Sequence, residues 1–270
     1  MADKVILITG STDGIGKQTA IKLAGTGAAV VIHGRNKEKC VHTRDEIFAR
    51  TGNTKVDFLV SDISTKKGAE ALAAAFLNKY DRLDVLINNA GVFMKQRVLT
   101  EDGLEMTFAV NHMSYFILTN LLAPVLITSA PSRVINVSSI AHQNGRLHFE
   151  NLQGEKKFDG YQAYALSKLA NILFTIEMAE KLRDQGVTVN VLHPGVITTN
   201  LLAAGFGSQG APVEDGAETP VYLATSDDVR GTTGKYFIKC REAKYSPIAN
   251  DAETRKQFWR VSLKLAGMKN

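Results

Sequence analysis

The feature that most constrains this chain is a rhythm of short apolar runs. They read "KVILIT" (4–9), "AAVVIH" (28–33), "KVDFLV" (55–60), "LDVLIN" (83–88), "RVINVS" (133–138), "TVNVLH" (188–193) and "KYFI" (235–238). Most are rich in β-branched residues and apolar without a break, the pattern of strands buried on both faces of a parallel sheet. The intervals 15–25, 36–50, 65–79, 100–129 and 161–184 are helix-length and amphipathic. Strand, helix, strand, repeated, predicts an α/β fold: a doubly wound parallel sheet of seven strands with helices on both faces. No Pro/Ser linker, repeat or low-complexity tract divides 1–270, so a single domain is expected. In such sheets a ligand lies beyond the carboxyl ends of the strands, which directs attention to the residues that follow each one.

Composition removes several other classes. With 44% hydrophobic and 22% charged residues the balance is that of an ordinary globular domain. The net charge is +5, and residues 255–270 hold Arg255, Lys256, Arg260, Lys264 and Lys269 with no acid, so residues 1–254 are formally neutral. That argues against a nucleic-acid-binding body. No segment reaches the ~18–20 apolar residues of a membrane span; the longest, "FILTNLLAPVLI" from Phe116, is interrupted by Asn120. The opening "MADKVILITG" lacks a signal-peptide cleavage pattern and enters a strand at once. Cys40 and Cys240 are far apart, and the histidines form no HExxH, so the expectation is no metal site and a reducing, cytoplasmic setting. The stretch 251–270 is expected to be a helix. Its Phe258, Trp259, Val261, Leu263 and Leu265 either pack on the body or make weak peripheral contact with an anionic membrane through the basic face.

After the first strand, "TGSTDGIG" sets Gly10, Ser11, Thr12, Asp13, Gly14, Ile15 and Gly16 ahead of a helix. Glycines there let backbone amides approach a pyrophosphate at the helix N-terminus. The second strand ends "VIHGRN", with Gly34 where a carboxylate would hold a ribose 2′-hydroxyl, and with Arg35 beside it. Lys37 and Lys39 follow closely. A missing carboxylate and an adjacent guanidinium suit a 2′-phosphate, which favours NADP(H) over NAD(H).

The spacing Gly-x-x-x-Gly-x-Gly resembles the short-chain dehydrogenase/reductase family, and the resemblance extends along the chain. "DI" (Asp62–Ile63), "NNAG" (88–91), Asn111, "VSS" (137–139), "YALSK" (164–168) and "HPGVITT" (193–199) occur in order. It implies a Rossmann-type fold and an oxidoreductase joining a carbonyl to its alcohol. Tyr164 would donate the proton, Ser139 would bind the same oxygen, and Lys168 would also hold the nicotinamide ribose. Asn111 would support a water relay. Asp62 and Ile63 would contact adenine, and Asn89, Ala90 and Gly91 would line the coenzyme. Pro194 and Gly195 would shape the turn over the nicotinamide, with Ile197 and Thr199 reaching its carboxamide or the diphosphate. Asp13 departs from the pattern, because some NADP-preferring relatives carry a base there. The glycine-rich stretch 200–216 reads as a lid over an apolar substrate.

"YQAYALSK" (161–168) offers two tyrosines. On a helix Tyr164 lies one turn from Lys168 and Tyr161 two turns, roughly 6 Å and 10 Å along the axis. A phenol with a pKa near ~10 is a poor acid at neutral pH. An ammonium one turn away and a positive nicotinamide would favour the phenolate. The wider spacing of Tyr161 resembles that of the enoyl-thioester reductases, which reduce a carbon–carbon double bond. The glycine loop, "NNAG" and Ser139 together favour Tyr164, leaving Tyr161 at the substrate entrance. A non-catalytic NADP(H)-binding regulator is the other alternative, against which both Tyr164 and Lys168 speak. The insert "IAHQNGRLHFENLQGEKKFDG" (140–160), with "NHMSYFILTNLL", "YALSKLANILFT" and "GKYFIKC", resembles the retinol dehydrogenase branch. That implies a lipophilic aldehyde, ketone or alcohol as substrate and a homo-oligomer formed through the two long helices. Many retinol dehydrogenases have a hydrophobic anchor ahead of the first strand; none stands before "KVILIT" in this sequence, so the expectation is a relative with an unassigned lipophilic substrate.

Overall fold

The structure, a computed structural model, describes residues 1–207 and 209–269. Among them seven strands run parallel: β1 (Val5–Ile8), β2 (Ala29–Gly34), β3 (Val56–Val60), β4 (Val85–Asn88), β5 (Ser132–Val137), β6 (Val187–His193) and β7 (Tyr236–Ile238). The spatial order is β3-β2-β1-β4-β5-β6-β7, closed by an antiparallel edge strand β8 (Arg241–Ala243). The described sheet therefore has eight strands rather than the seven expected. β8 is polar, three residues long and mostly exposed, so no apolar run announces it. Its turn consists of Lys239 and Cys240, both at positive φ (49° and 60°). Two-residue hairpin turns of this kind usually show Asn or Gly, and here that signal is missing.

The unbroken apolar runs are explained by burial on both faces. Ile6, Ile8, Val30, Ile32, Val85 and Ile87 point to one side of the sheet, while Leu7, Val31, Leu86 and Val134 point to the other. The first side is covered by α1 (Gly14–Ala24) and α2 (Lys37–Thr51). The second is covered by α3 (Lys66–Leu77) and by a long helix that starts as α4 (Met106–Phe108). That helix passes through a π-helical turn at Ala109–Met113 and continues as α5 (Ser114–Thr128). Next come α6 (Gly160–Lys181) on the second side, the short α7 (Asn200–Phe206) and α8 (Val213–Gly216) within the expected lid, and α9 (Glu218–Thr225) on the first side. Ser208 of the lid and Asn270 of the C-terminal stretch lie outside the described residues. Side chains start the principal helices: Asp13 caps α1, Asn36 caps α2 and Asp159 caps α6, each worth about 1 kcal/mol.

The structure refines the reading of two helices. The long helix Met106–Thr128 is, by length and composition, apolar enough to cross a bilayer, although the sequence suggested no such segment. Most of it is buried in the core, and polar residues such as Asn111 and His112 inside it are paired with the chain's own groups. It also starts later than residue 100. Leu99 and Glu105 form an antiparallel bridge, and the Glu105 carboxylate then accepts from the Thr107 and Phe108 amides to begin the helix. The C-terminal stretch forms α10 (Ala252–Ala266), and Phe258, Trp259 and Leu263 are buried. The Trp259 ring lies 4.8 Å from Phe116 and 6.0 Å from Phe174. The apolar side offered to lipid by the sequence is thus engaged with α5 and α6. The same contact covers part of the face through which the two long helices were expected to pair between subunits. Arg255, counted among the free bases, is buried beside Glu177 and Glu180.

Candidate active site

The strand order changes direction at β1 and β4, and a cleft of about 1080 Å³ opens beyond their carboxyl ends. Two loops close its floor by binding each other. Thr9 Oγ1 accepts from the amides of Asn89 and Ala90 at 3.0 and 3.2 Å. Asn89 Nδ2 donates back to the Thr9 and Gly10 carbonyls at 2.9 and 3.0 Å. Gly10 has φ +61°, and a Cβ there would stand 2.7 Å from the Ala90 Cα. A Cβ on Gly16 would fall on the Asn89 amide. These glycines let loop approach loop, which leaves the start of α1 open toward the cleft.

Every residue assigned from the sequence lines this cleft except Ser11, Lys37 and Asn111. Ser11 is fully buried behind the wall: its hydroxyl donates to the Ile8 carbonyl at 2.7 Å and accepts from the His33 amide at 2.9 Å. His33, which sequence reasoning missed, completes this bracket. Its Nδ1 accepts from the Gly10 amide at 3.2 Å, and its Nε2 donates to the Ser61 carbonyl at 3.1 Å. Burial lowers its pKa to about 4, so the neutral ring that this pairing requires is the form present near pH 7. Its place just before Gly34 at a strand end was the available signal.

At the end of β2, a Cβ on Gly34 would meet Thr12 Cγ2 at 2.6 Å and Cys40 Sγ at 3.1 Å. A side chain there would require Thr12 to give way. Arg35, Asn36 and Lys39 border the cleft at this corner. Asn36 caps α2 by accepting from the Lys39 amide at 2.8 Å. A cationic corner, a helix start and a glycine in place of a carboxylate together fit a dinucleotide carrying an additional phosphate. Asp13 is engaged locally: its carboxylate accepts from the Gly14 amide at 2.7 Å and from Asn200 Nδ2 of α7 at 2.6 Å. The following turn, with Pro194, Gly195, Ile197 and Thr199, borders the same cleft.

The two serines at the end of β5 separate cleanly. Ser138 is buried and donates to the Lys168 carbonyl at 2.7 Å. Ser139 faces the cleft beside the Tyr164 phenol and accepts from the Ala141 amide at 3.2 Å. Lys168 Nζ donates to the Val137 carbonyl at 3.1 Å and stands 5.6 Å from the centre of the Tyr164 ring. Tyr161 is farther out, with its hydroxyl accepting from Asn144 Nδ2 at 2.7 Å. The electrostatics differ from the expected one. Burial pushes Tyr164 up to about 12, opposed only in part by the Ser139 hydroxyl and assisted by Tyr161. Burial likewise pulls Lys168 down to about 7. In the protein's own framework desolvation is the largest influence on both groups, and the tyrosine is held protonated near pH 7.

Asn111 lies behind the wall, inside the π-helical turn. Its Oδ1 accepts from the Val92 amide at 2.7 Å, and its Nδ2 donates to the Val92 carbonyl and Ser167 Oγ, both at 3.0 Å. It clamps the segment after "NNAG" through both ends of its side-chain amide. The substrate side was largely unread. Phe93 stands 5.6 Å from Tyr164 and 5.3 Å from Phe206 of α7, and Phe206 stands 5.8 Å from Tyr164. Ile140, Val196 and Phe206, with relative exposures of 47%, 53% and 41%, form an apolar rim. Single exposed apolar residues carry no signal in sequence; their convergence is visible only in three dimensions.

Comparison with known proteins bears on the whole chain. The sequence matches the short chain dehydrogenase family over residues 4–208. Human retinol dehydrogenase 11 is 41% identical over 98% of this chain and 86% of its own length. Mouse retinol dehydrogenase 13 is 39% identical over 98% of this chain and 84% of its own. Among solved structures, an uncharacterised protein from Mycobacterium paratuberculosis superposes with a TM-score of 0.82 at 30% identity, covering 99% of this chain and 94% of that one. A short chain dehydrogenase from Shigella flexneri complexed with NADP does so with a TM-score of 0.73 at 28% identity, covering 88% and 98%.

Proposed function

Since this chain belongs to the short-chain dehydrogenase family, in its retinol dehydrogenase-like branch, and is an oxidoreductase of CH–OH and carbonyl groups, we propose that it is an NADP(H)-dependent enzyme interconverting a lipophilic aldehyde or ketone and its alcohol. The observation that carries this reading is the convergence of Ser139, Tyr164 and Lys168 on the cleft, with Phe206 at its rim and Phe93 packed against Tyr164 and Phe206.

When bound, NADP(H) would supply or accept the hydride. The residues suited to hold it are the backbone of 12–16, Arg35 and Lys39 at the 2′-phosphate, Asp62 and Ile63 at adenine, and Asn89 to Gly91 along the floor. The turn with Pro194, Gly195, Ile197 and Thr199 closes the other side. The absence of a carboxylate at Gly34, with Arg35 beside it, supports NADP(H) over NAD(H), as does the NADP bound to the Shigella flexneri relative. Tyr164 carries the proton exchanged with the substrate oxygen. Its protonated state at neutral pH suits donation to a carbonyl oxygen, and Ser139 shares that oxygen. Lys168 acts beside Tyr164, and Asn111 positions the loop at Val92. Tyr161, with its hydroxyl on Asn144, belongs to the entrance, which argues against the enoyl-reductase reading. The apolar rim supports a lipophilic substrate. A cytosolic setting is part of the same proposal.

The test mixes purified protein with NADPH or NADH and a panel of lipophilic aldehydes, ketones and conjugated enals, following coenzyme absorbance. Wild type is compared with Tyr164→Phe and Tyr161→Phe. NADPH oxidation that needs a carbonyl and is lost only in Tyr164→Phe is the expected result. Loss only in Tyr161→Phe, or turnover restricted to the alkene of the enals, would overturn the proposal.

A further inference from the structure

The buried polar groups behind Lys168 form a directed chain that the reaction above does not use. Asn171 follows Lys168 on α6 by one turn and is fully buried. Its Nδ2 donates to the Asn111 main-chain carbonyl at 2.8 Å and to the Val137 carbonyl at 3.3 Å, the same oxygen that receives the Lys168 ammonium. With both amide hydrogens directed at carbonyls, Oδ1 is left as an acceptor and faces His112 Nδ1 at 3.3 Å. His112 must therefore carry its proton on Nδ1, so that Nε2 accepts from Ser262 Oγ of α10 at 3.2 Å. The opposite amide orientation would set an oxygen against two carbonyls. Asn171, His112 and Ser262 are all 0% exposed. An unpaired member at that depth would be costly, so each link fixes the next.

We infer that Asn171 is a positioning residue for Lys168, held in its working orientation by His112 and by Ser262 of the C-terminal helix. It anchors the Val137 carbonyl against which the ammonium rests, together with the Asn111 carbonyl in the π-helical turn. The chain is neutral throughout, because burial lowers His112 to about 3. It thus orders the site without adding a carboxylate beside the lysine. The titratable groups that do surround Lys168 are Tyr164 on α6 and His193 at the end of β6, with His142 behind His193. His193 is itself lowered to about 4 and neutral near pH 7.

The inference rests on the catalytic reading of Lys168, and its test includes a measurement that needs no turnover. Protein carrying ¹³C at the lysine Cε is titrated by NMR, with Lys168 assigned through Lys168→Met. Wild type is compared with Asn171→Leu, Asn171→Asp and Ser262→Ala, alongside NADPH affinity and kcat across pH. Asn171→Asp should raise the Lys168 midpoint, because a carboxylate sharing its carbonyl favours the ammonium. The limb of the kcat–pH profile that reports the lysine should move the same way. Asn171→Leu should lower kcat about tenfold or more while NADPH affinity stays within about threefold. Ser262→Ala, at the far end, should lower kcat by a smaller factor in the same sense. An unmoved Lys168 midpoint in Asn171→Asp, or kcat falling only in step with folded fraction in Asn171→Leu and not at all in Ser262→Ala, would overturn it. If Asn171→Leu does not fold, the other two variants decide. A wild type that turns over no carbonyl would sink the dehydrogenase reading while leaving the midpoint comparison intact.

Discussion

The two ends of the cleft are built by different means. The floor beneath β1, β2 and β4 is made of loops that bind one another's backbone: Thr9 with Asn89 and Ala90, Ser11 with His33, Gly10 with His33. The far end is walled by side chains that meet through their surfaces, Tyr161 and Phe206 with Phe93 packed against Phe206, and with Ile140 and Val196 exposed around them. Backbone hydrogen bonds fix distances to a few tenths of an ångström and tolerate few replacements. Apolar surfaces accept many residues of suitable volume. One end can hold a constant ligand in a constant place, and the other can change what it admits without disturbing the first.

This contrast can be broken at chosen points. The largest effect is expected from Asn89→Leu, which removes two buried bonds and leaves two carbonyls without a donor. At about 1 kcal/mol or more for each bond lost, NADPH affinity should fall roughly 30- to 100-fold. Fluorescence titration measures it, and unchanged affinity would mean the loops do not depend on each other. Next in size is Arg35→Ser. NADPH affinity should fall by about tenfold while NADH affinity hardly moves, since only the former has a phosphate to lose. An equal loss for both coenzymes would assign Arg35 to something other than the 2′ position. The smallest effect belongs to Phe206→Ala. It should alter KM for bulky carbonyl compounds by about three- to tenfold and leave NADPH affinity as it was. A drop in NADPH affinity of the same size would show that the two ends are not independent.

The same contrast explains what could be read from the sequence. Strands buried on both faces announce themselves as unbroken apolar runs, and all seven of those expected are present, within a residue or two at each end. The coenzyme end was legible because glycines at fixed spacing have a steric cause, found here at Gly10, and a missing carboxylate beside a base has a chemical one, found at Gly34 and Arg35. Ser11 and Asn111 belong to the same segments, yet spacing cannot tell a side chain that faces a cleft from one that braces it from behind. β8 was invisible because an exposed edge strand of three residues needs no apolar pattern and its turn lacks glycine. The shifts of Tyr164 and Lys168 in the protein's own framework were out of reach for a different reason. Separation along a helix can be counted from the sequence, whereas burial cannot, and burial dominates both groups.

The position of α10 has a consequence for the order in which the molecule is made. All eight strands, the glycine loop, Ser139, Tyr164 and Lys168 precede residue 252 and leave the ribosome first. Until Phe258, Trp259 and Ser262 follow, the nascent chain presents Phe116 and Phe174 without their cover and His112 without its last partner. Any stage of folding at which the sheet has formed and α10 has not yet docked leaves one apolar flank bare, and there a chaperone or premature self-association would compete with the final helix for the same surface.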